Sequence, residues 1–357
     1  MRCTLGDITV NFSRRNKEEI HYPMFSVTNN KGFIPQSEQF EDREMIGEDI
    51  KAYKIIHKDD FAYNPARINV GSIAKYNEEN PCMISSLYVC FKTNPKIDND
   101  WMMQLLKTPK MNFYYNINGE GGVRIYLFYP NFARIKTSYP TLKEQQKISS
   151  FLTLLDERIS TQNKIIEDLK KLKVAIRDKQ LNAIRKHYGL NYQICDLLDY
   201  EQPTKYVVTD SEYSEDRSKT PVLTANKAFI LGYTDENFGV YDNGACIILD
   251  DFTLDCKYVD FPFKVKSSAI KILTVKSDCS LRYVYEYLNY MNLETIEHKR
   301  HYISEIEPMI IAYPTDKKRI DDFNSVMSSF ERKIEIENKY FQSLLTQKDY
   351  LLSNLFI

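Results

Sequence analysis

No stretch of the 357 residues approaches the 18 apolar positions that a membrane-spanning helix needs, and the opening MRCTLGDITV has no apolar leader core. A cytoplasmic protein is therefore expected. The seven cysteines are odd in number and never form a Cys-x-x-Cys pair, which argues against a disulfide framework and fits a reducing compartment. Gly119-Glu120-Gly121-Gly122 lacks the Lys-Ser/Thr of a phosphate-binding loop, so no ATP-driven motor is expected. His298 and His301 have no third partner in sight, and no metal site is expected there. Asp251 with Asp255-Cys256-Lys257 is too short a match to a metal-dependent nuclease pattern to read as more than solvated loop carboxylates. A net charge of −1 also withholds the broad basic footprint usual in proteins that bind nucleic acid.

What the chain does have is a repeat about half its length. Tyr139-Pro140-Thr141 opens one long helical stretch and Tyr313-Pro314-Thr315 opens another. From Lys143 to Lys186 there is neither proline nor glycine. Apolar residues recur there at 3-4 spacing: Ile148, Leu152, Leu155, Ile159, Ile166, Leu169 and Ile176. The second stripe reads Ile320, Phe323, Met327, Phe330, Ile334, Phe341, Leu344, Leu351 and Leu355. A period near 3.5 over five heptads predicts a coiled-coil seam. Gln162 and Glu337 interrupt the two stripes at matching depth, as register-setting polar residues would in an antiparallel pair. Thr141-Leu-Lys-Glu144 matches a capping box. The second helical region lacks that glutamate, and its stripe reads as if about three residues were added between Phe323 and Ile334.

The intervening globules repeat more faintly. Pro23 to Ile34 parallels Pro221 to Ile230, and Asp59-Asp60-Phe61 parallels Asp250-Asp251-Phe252. Ser85-Ser86 and Ser267-Ser268 each lead into an alternating strand, followed by short helices at Trp101–Leu106 and Arg282–Tyr290. Basic turns close both series, at Gly121-Gly122-Val123-Arg124 and at His298-Lys299-Arg300-His301. Short strands punctuated by Gly, Asn and Asp predict an α+β fold. The boundaries read as globules over 1–140 and 188–312 and helical regions over 141–187 and 313–357. Residues 1–140 hold 18 basic against 16 acidic residues and 141–187 hold 11 against 6. Residues 188–312 are acidic at 12 against 20, and 313–357 balance at 7 and 7.

Tyr-Pro-Thr-Leu-Lys-Glu-Gln-Gln-Lys-Ile over 139–148, with Phe151-Leu152, Leu155-Asp156 and Ile159, resembles the specificity (S) subunits of type I restriction–modification systems. So do Phe61 to Ala74, Pro221 to Ala225, Ile248 to Thr253 and Phe261 to Ser268. The resemblance covers essentially the whole chain. It implies two target-recognition domains related by pseudo-twofold symmetry, separated by two long helices that form an antiparallel coiled-coil spacer. It also implies a non-catalytic subunit in which each domain reads one half of an asymmetric, bipartite site on double-stranded DNA. The helices would set the gap and dock methyltransferase subunits, which carry S-adenosylmethionine. Restriction subunits, with ATP and Mg, would join for cleavage. A helix of about 40 residues is on the order of 60 Å long, enough to separate half-sites that recur on one face of the duplex roughly every 34–36 Å. An adenine methyltransferase activity on this chain is not expected, because Asn64-Pro65-Ala66-Arg67 fails the Asp/Asn-Pro-Pro-aromatic pattern at its third and fourth positions.

Residues able to reach base edges or phosphates from turns and strand ends are the candidate DNA contacts. In the first globule these are Arg67, Asn69, Ser72 and Arg124; in the second, Lys227, Lys266, Ser268, Lys299 and Arg300. Two other readings stand beside this one: a specificity subunit for a methylation-only system, and a coiled-coil scaffold whose acidic second globule binds protein.

Overall fold

Large and small side chains alternate along Phe61-Ala62-Tyr63, and that alternation explains how each half of the molecule is built. The computed structural model describes residues 1–39, 50–122, 125–226, 228–276, 278–295 and 299–356. In chain order the first globule contains β1 (Arg2–Thr4), α1 (Leu5–Ile8), β2 (Thr9–Phe12), β3 (Phe25–Thr28), β4 (Gly32–Pro35), α2 (Gln36–Gln39) and β5 (Lys54–Ile56). There follow β6 (Phe61–Tyr63), β7 (Ile73–Lys75), β8 (Cys82–Ile84), β9 (Val89–Thr93), α3 (Asn99–Leu106), α4 (Pro109–Asn118), α5 (Tyr129–Ala133), β10 (Lys136–Ser138) and the long α6 (Leu142–Tyr188). The second globule contains β11 (Tyr192–Gln193), α7 (Ile194–Leu197), β12 (Leu198–Glu201), β13 (Thr220–Leu223), β14 (Ile230–Thr234), β15 (Cys246–Asp250) and β16 (Cys256–Val259). It closes with β17 (Lys264–Val265), β18 (Ile270–Val275), α8 (Leu281–Met291), β19 (Ile310–Ile311) and α9 (Lys317–Leu355). Two compact units result, Met1–Asn163 with Lys339–Ile357, and Lys164–Asn338.

In the first unit the central antiparallel sheet has the order β2-β9-β6-β7, and β1 pairs with β10. Successive strand residues point to opposite faces. Phe61, Tyr63 and Phe91 therefore enter one core with Trp101, Phe132 and Leu152, whereas Ala62, Ala74 and Cys90 enter another with Val27, Ile56 and Cys82. The Phe61 and Phe91 rings stack at 5.0 Å. The second unit repeats the plan: the sheet order is β12-β18-β15-β16, and β11 pairs with β19. Ile247, Leu249 and Leu273 face one core and Cys246, Ile248 and Ile272 the other. Both sheets are thus buried on both faces, in agreement with the expected α+β class.

The strand order corrects one alignment. By topology β6 matches β15, yet Asp60 precedes β6 while Asp251 follows β15. The two Asp-Asp-Phe triplets are not equivalent positions. Asp60 accepts from Arg14 Nη1 at 3.0 Å and from the His57 amide at 2.9 Å, while Asp251 ties loops together as described below.

The helix stripes repeat without an insertion. The pairs Ile148/Phe323, Leu152/Met327, Leu155/Phe330, Ile159/Ile334, Gln162/Glu337, Ile166/Phe341 and Leu169/Leu344 are all 175 positions apart, each pair buried or half-buried. The expected three-residue addition between Phe323 and Ile334 is absent. One extra residue instead precedes the helix: Asp316, whose Oδ1 accepts from the Lys318 amide at 2.9 Å. It replaces the Thr141–Glu144 capping box of the first helix, where Thr141 N donates to Glu144 at 3.0 Å. Near the chain end the buried position moves from Leu351 and Leu355 to Leu352 and Phe356, since an α-helix drifts against a strict 3.5-residue repeat.

Within each unit the helix segments pack antiparallel. In the first, Asp156 Oδ1 lies 2.5 Å from Lys348 Nζ, and Arg158 sits over the Tyr340 ring at 5.5 Å. In the second, Lys173 Nζ lies 2.9 Å from Glu331 Oε1, and Ile320, Phe323 and Met327 share a core with Ile184. A third group joins each pair from the short helix beside it. Gln104 on α3 donates to Asp156 at 3.4 Å, and Glu286 on α8 accepts Lys173 at 2.7 Å. Those short helices start alike, Asp98 capping Trp101 N at 2.8 Å and Ser280 capping Tyr283 N at 3.1 Å.

Candidate nucleic-acid interface

In the second unit, Asp251 joins three loops. Its side chain is almost fully buried, and Oδ1 accepts from the amides of His301 at 3.1 Å and Tyr302 at 2.7 Å. Its own amide donates to Ala269 O at 2.8 Å, and Lys271 Nζ stands 3.5 Å from Oδ2. The carboxylate therefore satisfies backbone donors from the loop preceding the π-turn Tyr302–Ile306 and fixes that loop beside the turn preceding β18. Thr253 Oγ1 donates to Asn226 Oδ1 at 3.3 Å, which adds the β13–β14 turn.

Four of the expected contacts are carried by these joined loops: Lys266, Ser268, Lys299 and Arg300, all exposed. Lys299 Nζ lies 3.2 Å from Glu305 Oε1, whose other oxygen lies 2.9 Å from His301 Nδ1. The His301 bond first, and then that of Lys299, hold the Glu305 carboxyl below the usual carboxylate range. Lys227 lies outside the described residues, as do His298 and, in the first unit, Arg124. His301 is buried against this network. Asn226 and Thr253 were not among the expected contacts. Their signal is a polar residue at the tip of a strand connection, a pattern too common to single them out.

The first unit places Asn69 on the 3₁₀ turn Ile68–Val70 and Arg67 at the position that caps its start, with Gly71 closing it at φ +95°. Only glycine takes that conformation without strain, and an added Cβ would stand 3.4 Å from Asn29 Cβ. Arg67 is exposed, and Asn69 Nδ2 donates to Asn116 Oδ1 on α4 at 3.1 Å. Ser72 is a correction. It is buried, and its hydroxyl donates to Val27 O at 2.7 Å, so it holds the β3–β4 hairpin to the loop and does not face solvent. The backbone of Leu127 donates to Pro65 O at 2.9 Å and ties the following segment to the same loop.

No helix among the described residues is long and apolar enough to cross a membrane. Among them, no group of three or more His, Cys, Asp or Glu side chains is arranged to hold a metal ion. The arrangement can offer exposed cations and amides from rigidly tied turns, the chemistry of phosphate and base-edge contact.

Known proteins resemble this chain in sequence and in fold. Residues 6–171 match the model of the type I restriction modification DNA specificity domain. Over 125 residues, 33% of this chain, the sequence is 47% identical to the type I restriction enzyme EcoR124I/EcoR124II specificity subunit of Escherichia coli, and the match spans 31% of that subunit's length. The fold is similar to the type I restriction-modification S subunit of M. genitalium, with TM-score 0.61 at 14% identity over 100% of this chain and 96% of that one. It is also similar to a chain from a structural study of complex assembly and conformational transition in a type I R-M system, with TM-score 0.62 at 11% identity over 99% and 96%.

Proposed function

We propose that the chain selects the target of a methyltransferase and restriction complex without performing chemistry itself, a reading supported by the match of residues 6–171 to the type I restriction modification DNA specificity domain and by a fold similar to that of S subunits along the whole chain. Each unit reads one half of an asymmetric, bipartite site. The helices α6 and α9 set the gap and dock methyltransferase subunits. S-adenosylmethionine belongs to those partners, and ATP and Mg belong to a restriction subunit. The observation that carries this reading is the duplication itself. One sheet order and one helix register occur twice, and each unit presents exposed cations on loops at strand ends: Arg67 in one, Lys266 and Arg300 in the other.

The test is co-expression with a methyltransferase subunit of this class, with N6-methyladenine mapped by single-molecule sequencing. One asymmetric bipartite motif that depends on this chain supports the reading. A stable complex that methylates nothing in a chain-dependent way sinks it and leaves a protein scaffold. Exchange of residues 188–312 for another recognition domain changes one half-site; a change in both contradicts the modular arrangement.

A further inference from the structure

Helix α4 presents an unusual face to solvent. Thr108 Oγ1 accepts from the Met111 amide at 3.2 Å, and Pro109 occupies the first turn, where its missing N–H costs nothing. Met111 and Tyr115 bury one side, with Tyr115 Oη donating to Leu106 O at 2.8 Å. The opposite side is fully available: Lys110, Asn112, Phe113, Asn116 and Ile117 are all exposed. Phe113 is 60% and Ile117 59% exposed, and Val70 at 54% lies on the 3₁₀ turn packed against the helix. A helix apolar on both sides is ordinarily enclosed; this one leaves an apolar and amide-bearing strip open.

The polar groups of the strip are not equivalent. Asn116 is committed on both ends, its Oδ1 to Asn69 at 3.1 Å and its Nδ2 to Asn112 O at 2.9 Å. The Asn112 amide makes no side-chain hydrogen bond to any described residue and projects a free donor and acceptor. Residues 109–118 contain no carboxylate, Lys110 and Arg67 bring positive charge to the strip, and the one carboxylate close beyond the helix end, Glu120, accepts from Asn131 Nδ2 at 2.7 Å. Ten residues span about 15 Å, and the major groove is about 12 Å wide. An asparagine amide pairs with N6 and N7 of adenine, and apolar side chains meet the thymine methyl.

We propose, on the footing of the DNA-specificity reading above, that α4 enters the major groove and reads A·T pairs in one half-site. Asn112 pairs with adenine, Phe113 and Ile117 lie against thymine methyls, and Lys110 and Arg67 take the adjoining phosphates. Asn69 and Asn116 brace the helix against the turn. Among the described residues, the second unit has no α-helix between α8 and the π-turn, so the two halves of the target are read by different devices.

The experiment compares the wild-type chain with Asn112→Ala, and with Phe113→Ser combined with Ile117→Ser, each assembled with its methyltransferase subunit. Motifs are mapped by single-molecule sequencing, and far-UV circular dichroism checks folding. Asn112→Ala is expected to relax one A·T position by about 5- to 150-fold, the loss of one good bidentate contact, with the other half-site unchanged. The double variant is expected to lose discrimination against uracil-like loss of the methyl at a neighbouring position in synthetic duplexes. An unchanged motif in both variants overturns the role of α4 and leaves the DNA-specificity reading standing. Loss of the methyltransferase subunit with unaltered base preference overturns it in favour of a protein-docking face. A wild-type chain that directs no motif removes both readings.

Discussion

Replacing Lys173 with methionine should destabilise the second unit far more than the equivalent change at Lys348 destabilises the first. The two lysines are 175 positions apart and occupy the same place in the repeat. Lys173 Nζ lies 2.7 Å from Glu286, whose side chain is 1% exposed, and 2.9 Å from Glu331. Arg282 also bonds Glu331, so that carboxylate keeps a partner when the lysine is removed. Glu286 does not. A buried charge left without its counterion costs about 3–5 kcal/mol. Lys348 pairs with Asp156, which is 39% exposed and can turn to water, and a pair of that kind contributes about 0.2–1 kcal/mol. At about 2–4 °C per kcal/mol for a unit of this size, Lys173→Met should lower the melting temperature by roughly 6–20 °C and Lys348→Met by less than about 4 °C. Urea unfolding followed by far-UV circular dichroism gives the same comparison in free energy. Adding Glu286→Leu to Lys173→Met removes the stranded charge and should recover most of the loss. Equal losses at the two lysines, or no recovery in the double variant, would refute the reasoning.

Three further outcomes follow from other contacts. Lys264 is buried 2.8 Å from Glu236 and, with Thr209, holds that carboxyl down at about 2; a depressed carboxylate stabilises above its unfolded value, so stability should fall as pH drops from about 4.5 toward 2. Glu236→Gln should flatten that part of an acid titration followed by circular dichroism, and an unaltered profile would remove the ion pair from the account. Phe356→Ala should cost about 3 kcal/mol, because the ring is buried 5.8 Å from Trp101; Trp101 is the single tryptophan, so its fluorescence reports the change directly. Arg67→Ala should reduce the slope of log affinity against log salt by about 1 in the assembled complex if it takes one phosphate, and a slope that stays put would place Arg67 off the DNA.

The helices were the most legible part of the chain, because a 3.5-residue stripe is a local signal that packing reinforces. Landmarks that lead into strands, such as Ser85-Ser86 before β9 and Ser267-Ser268 before β18, also fell in equivalent places. The Asp-Asp-Phe triplets did not, since strand equivalence is decided by pairing partners far away and not by three adjacent letters. Helix α4 is not legible in the sequence because Met-Asn-Phe-Tyr-Tyr-Asn-Ile-Asn is poor in strong helix formers; its cap and the burial of Met111 and Tyr115 stabilise it. Ser72 looked like a surface residue, and only the approach of Val27 takes its hydroxyl inside. Of the candidate contacts, Lys266, Ser268, Lys299 and Arg300 could be named separately, but nothing in their spacing revealed that Asp251 gathers their loops.

The division of single strands between two cores has a consequence for motion. Phe61 and Tyr63 belong with the helices, whereas Ala62 between them belongs with β3, β5 and β8. The layer that carries the β3–β4 hairpin rests on small side chains, Ala62, Ala74 and Cys90, and the helix-side layer rests on stacked aromatics. Proteins open in cooperative pieces of unequal stability. Here the hairpin layer should exchange its amide hydrogens by a local opening that leaves the aromatic layer closed, giving the first unit a yielding outer surface on an unyielding mount.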